Sequence, residues 1–69
     1  MPTDEQIKEA AETISDSGDS LLIGGVNDML EKNMTRTACA FLKHAASRRY
    51  KRGLISSREK NKAFRLLRK

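Results

Sequence analysis

Cys39 and His44 are the side chains of this sequence best suited to nucleophilic or general-base chemistry, and they stand five positions apart. On a helix, five positions turn through about 500°. The thiol and the imidazole therefore leave different faces and cannot form the nucleophile–base pair that such catalysis needs. One His with one Cys cannot complete a four-ligand zinc site, and a single Cys allows no intramolecular disulfide. The carboxylates of the first half fall on outward positions of a capped helix, with no metal-ligand spacing among them. These residue types predict a non-enzymatic protein with no cofactor, in which Cys39 serves as a small hydrophobe and His44 is exposed.

The chemistry that the sequence does offer is electrostatic. Residues 1–33 carry eight acids and two bases, a net of −6, whereas residues 34–69 carry twelve Lys/Arg and one acid, Glu59, a net of +11. Such a division points to a polyanionic partner for the second half. At about 100° per residue, Arg58, Lys62, Arg65 and Lys69 fall in a narrow arc of one helix, and the row extends about 16 Å. Charges in a line over an apolar back can follow a sugar-phosphate backbone, and the Arg fork suits phosphate oxygens or a guanine edge. Arg48, Arg49, Lys51 and Arg52 form a second cluster around the end of the preceding helix, with Tyr50 among them. Arg49 and Arg52 continue the line of that helix's buried stripe, and a core cannot cover bare cations, so the helix end is expected to extend past the core edge. The two clusters are expected to join through Gly53 into one surface.

Two simpler explanations compete with a ligand. Lys and Arg near a helix C-terminus favour the macrodipole on their own. The acidic first helix could also lie beside the basic pair, although pairing all six excess acids of residues 1–33 would still leave five cations uncompensated.

Helices must position these side chains. Thr3 with Gln6 forms a capping box, and Asp4 and Glu5 put negative charge at the favoured end of the dipole. Ile7, Ala10, Ala11 and Ile14 then mark one face of a helix over about residues 4–15. Residues 15–20 are a turn cluster in which Asp19 or Ser20 can cap a second helix. Leu22, Val26, Met29 and Leu30 share a face over residues 21–31. Gly24-Gly25 weakens that helix by about 1 kcal/mol per glycine; the pair either lets another helix approach closely or breaks the segment. A phosphate-cradling loop does not fit, because the P-loop spacing and a preceding strand are both missing. Thr35 is expected to cap a third helix, with Ala38, Phe41, Leu42 and Ala45 as its buried stripe, running to about Arg52. Gly53 sits at a left-handed helix end with Leu54 placed for the accompanying apolar contact. Ser56 and Glu59 then form a second capping box, opening a last helix whose Ala63, Phe64 and Leu67 face back onto the third.

The run from Tyr50 to Glu59, with its Gly-Leu-Ile-Ser turn, resembles the turn of the short helical hairpins called SHOCT domains. The resemblance implies a helical hairpin and nothing about function; Ser57, Arg58 and Lys60 stand where that family has acids and an aromatic. A DNA-reading helix-turn-helix is a different matter. It requires a small residue four positions before the turn glycine, and Arg49 occupies that place.

Sixty-nine residues make one small domain, spanning 1–69, that buries only about 60% of its unfolded surface. The predicted fold is all-α, a bundle of three to four short helices, acidic over 1–33 and ending in a basic helical hairpin over 34–69. A lone Cys without a signal peptide suits a reducing compartment, and Leu21-Leu22-Ile23 is far below the ~20 apolar residues of a membrane span. The expected setting is cytoplasmic or nucleoid-associated. The expected function is that of a small nucleic-acid-binding protein or accessory regulator, contacting DNA or RNA phosphates through Arg48, Arg49, Lys51, Arg52, Arg58, Lys62, Arg65 and Lys69. The alternative is a protein-interaction module whose basic hairpin docks on an acidic protein surface, with homo-oligomer formation through the acidic helix. An anionic membrane ranks third: the last helix is basic and amphipathic, but the core accounts for its apolar side, and Trp is absent.

Overall fold

Reciprocal hydrogen bonds open the first helix in the computed structural model, which describes residues 2–15 and 20–68. The Gln6 amide donates to Thr3 Oγ1 at 3.2 Å, and the Thr3 amide donates to Gln6 Oε1 at 2.9 Å. Helix α1 runs Asp4–Ile14, α2 Ser20–Glu31, α3 Thr35–Lys51 and α4 Ser57–Leu67. The fold is all-α, a small four-helix bundle ending in a basic hairpin, with no strand among the described residues. Residues 16–19, and with them the cap expected of Asp19, lie outside the described residues; Ser20 is already helical.

Helix α2 continues unbroken through Gly24 and Gly25. Neither glycine serves a close approach, since a Cβ built on either would meet nothing within 4 Å. The expected break and the expected close approach are thus both absent at this pair. Asn33 ends the helix in the left-handed region at φ 59°. The Met34 amide donates to the Met29 carbonyl at 2.8 Å and the Asn33 amide to Leu30 at 3.1 Å, the paired bonds of a Schellman motif. Met34 is thereby also the N-cap of α3, without a side-chain bond. This corrects the expectation that Thr35 is the cap: the turn is tight enough that Thr35 is already the first helical residue.

The α3–α4 turn repeats the motif as the sequence predicts. Gly53 adopts φ 75°, and Leu54 and Gly53 donate to the carbonyls of Arg49 and Tyr50 at 2.9 and 3.0 Å. Ser56 and Glu59 then complete their capping box at 3.2 and 2.9 Å.

The core is one cluster to which all four helices contribute. Ile7, Ile14, Val26 and Leu42 are its largest fully buried side chains, and Ala10, Ala11, Ala38, Ala46 and Ala63 fill the space between. Helix α4 packs along α3, as the sequence predicts, and more extensively along α1. That arrangement turns α3. Its buried stripe is Ala38, Cys39, Leu42 and Ala46, rotated by about 60° from the expected Ala38, Phe41, Leu42 and Ala45. Phe41 is consequently exposed. No helix is long and apolar enough to cross a membrane among the described residues.

Candidate nucleic-acid interface

Burial of Ala63 and Leu67 fixes the rotation of α4. Arg58, Lys62 and Arg65 then lie on its α1 flank, lining a groove of about 400 Å³ with Gln6 and Leu66. Lys62 Nζ stands 3.7 Å from Glu9 Oε2, with both side chains about half exposed. An exposed pair of this kind contributes at most about 1 kcal/mol. The acidic helix therefore does lie beside part of the basic row. Arg58 and Arg65 remain exposed; Lys69 lies outside the described residues.

The second predicted cluster occupies a different groove. Arg48, Arg49 and Arg52 line a cavity of about 470 Å³ whose apolar wall is Leu22, Phe41, Ala45 and Leu54. Leu54 is 46% exposed, and its side chain forms part of this surface. Arg49 is half-buried, whereas Arg48, Lys51 and Arg52 are exposed. The sequence joins the two clusters into one surface through Gly53. The fold divides them, one on the α1 side of α4 and the other on the α2 side of α3, because the two helices present their mutual faces between them.

Those mutual faces carry a third set of cations, outside both predicted clusters. Lys43, His44, Ser47, Phe64 and Arg68 line a depression of about 320 Å³. Beside it, a second depression of about 370 Å³ is lined by Pro2, Arg36, Cys39 and Leu67, and again by Lys43 and Arg68. Farther along, Lys60 Nζ sits 4.2 Å from the Tyr50 ring centroid and 6.0 Å from that of Phe64. Helix α3 contains no acid, and Glu59, the one acid of α4, is engaged with the Ser56 amide. A sequence signal for this set exists: Arg36, Lys43, Ser47 and Tyr50 recur along one line of α3, as do Lys60, Phe64 and Arg68 along α4. The denser basic run at the end of α3 masks it.

Cys39 is buried and His44 exposed. Burial raises the Cys39 thiol above its ordinary pKa, with Lys43 opposing the shift. No group of three or more His, Cys, Asp or Glu side chains is placed to hold a metal among the described residues.

Comparison with protein-family models, with characterised proteins and with solved structures finds no match to this chain. The resemblance of residues 50–59 to a SHOCT turn stays at the level of the hairpin, which α3, the Gly53 turn and α4 form.

Proposed function

We propose that this is a small non-catalytic nucleic-acid-binding protein or accessory regulator that engages phosphates through its C-terminal helical hairpin. The observation that carries the reading is the charge of that hairpin: twelve Lys/Arg against the single Glu59 over residues 34–69, with Glu59 committed to its own cap. Arg48, Lys51, Arg52, Arg58 and Arg65 are exposed, and such side chains supply phosphate contacts at little folding cost. Arg49, Lys62 and Lys69 complete the set; Lys62 exchanges its weak pairing with Glu9 for a phosphate.

Binding to a short DNA duplex over a range of salt concentrations tests the proposal. With four to six contacts engaged, log affinity against log salt falls with a slope of about −4 to −5. A flat dependence, or no binding in low salt, contradicts it.

A second reading has its own observation. The groove holding Arg48 and Arg52 has an apolar wall in which Phe41 and Leu54 are 38% and 46% exposed. An acidic amphipathic segment of a partner protein matches that combination. Arg48→Glu with Arg52→Glu would then abolish capture of the partner while leaving duplex binding through Arg58 and Arg65 in place.

A further inference from the structure

Two neighbouring depressions separated by a pair of cations are a different object from a row of surface charges. On the outer side of the α3–α4 hairpin, Lys43 and Arg68 belong to the walls of both depressions. They form the ridge between them. One depression has Phe64 in its wall, with His44 and Ser47 opposite. The other is flanked by Arg36 and floored by small or apolar groups.

We infer that this groove is a binding track for single-stranded nucleic acid, with one nucleotide in each depression and the phosphate between them held by Lys43 and Arg68. The inference rests on the proposed nucleic-acid function and specifies both the strand form and a site outside the eight cations of that proposal. Phe64 is half-buried, so its ring is fixed by the core while part of it faces the groove, which makes it a preorganised stacking platform. Every base has a π-face, so such a platform accepts bases without sequence preference, provided that they are not already stacked in a duplex. Ser47 offers a hydroxyl and His44 a ring nitrogen to base edges or sugar oxygens. Arg36 stands at the far end, about 16 Å from Ser47 along α3 at roughly 1.5 Å per residue, where it would meet the next phosphate.

Charge complementarity selects this occupant. The groove walls contain no carboxylate among the described residues, whereas the flank of α4 toward α1 has Glu9 beside it. Tyr50 is outside the walls of both depressions, and the Lys60 ammonium covers one face of its ring. Phe64 is thus the stacking residue, and Lys60 extends the positive track beyond it.

The test is fluorescence anisotropy with a short oligothymidine and with a blunt DNA duplex of matched length, using the full chain. Lys43→Ala with Arg68→Ala alters exposed positions and should weaken oligothymidine binding by about tenfold, flattening its salt slope by about 0.7, the value for one phosphate on a single strand. Duplex affinity should change by less than about twofold. Phe64→Leu, which keeps the core volume nearly filled, should weaken oligothymidine binding by about fivefold or more, because stacking on one ring is worth roughly 1–3 kcal/mol per base. Arg58→Ala with Arg65→Ala should show the reverse preference, reducing duplex affinity more. Unchanged oligothymidine affinity in the Lys43/Arg68 variant, or equal loss for both probes, overturns the single-strand track while leaving the proposed function standing. Failure of the unaltered protein to bind either probe in low salt overturns both.

Discussion

Cys39 shows how a residue with reactive chemistry becomes a packing element. It is only 7% exposed, and burial holds its thiol above the ordinary pKa despite Lys43 nearby. The thiolate is the reactive form, so at mildly alkaline pH the folded protein should react with a small alkylating reagent far more slowly than the protein unfolded in urea. Equal rates would show that the thiol is neither buried nor shifted. The unfolded thiol ionises first as pH rises, so its contribution to stability is fully present below the unfolded pKa and is lost toward the folded value. Leu42 is the opposite kind of residue, wholly apolar and wholly covered. Truncation to alanine removes about 2–5 kcal/mol, comparable to the roughly 3–5 kcal/mol available to a core of this size. Circular dichroism of Leu42→Ala should therefore show a largely unfolded protein at room temperature, and a native-like melting curve would contradict the packing described here.

At the scale of the helix, the glycines separate into two kinds. Gly24 and Gly25 lie in the regular interior of α2 with open space where a side chain would go. Gly24→Ala should accordingly raise stability by about 0.5–1 kcal/mol, measured by urea unfolding. Gly53, at φ 75°, should lose about 1–2 kcal/mol on the same substitution, because an L side chain is strained there even with room around it. If both substitutions moved stability in the same direction, the assignment of Gly53 as the left-handed end of α3 would be wrong. These elements are readable from the sequence to different depths. Both capping boxes, the α1 face and the Gly53 turn depend on residues within one or two turns of each other, so local spacing contains them. The face of α3 does not have that property. Whether Phe41 or Ala46 points inward depends on where α1 and α4 lie, and the preference of α4 for α1 is a long-range arrangement that no local pattern encodes. The candidate interface inherits the same limit: the cations and their stripes are visible in the sequence, but the separation of the two predicted clusters into different grooves, and the third set along the α3–α4 seam, arise from that rotation.

Across the whole molecule, acidic and basic halves fold against one another and neutralise each other only in part. Glu9 and Lys62 meet across the boundary, while α3 contributes no acid to the hairpin. The bundle measures 31 × 24 × 16 Å, and surface grooves lie on both flanks and along the seam of the hairpin. Glu9→Gln should release Lys62 and shift nucleic-acid affinity upward by a small factor, no more than about fivefold for an exposed pair; a decrease in affinity would mean that Glu9 positions the cation instead of competing for it. The most direct test of the central claim is an NMR titration of isotope-labelled protein with a short DNA duplex and with an oligothymidine at two salt concentrations. Amide resonances of α3 and α4 should move, the shifts should shrink as salt rises, and α2 should stay still through Gly24 and Gly25. Shifts confined to α1 and α2, or none from either oligonucleotide in low salt, would contradict the assignment of the basic hairpin as a nucleic-acid interface.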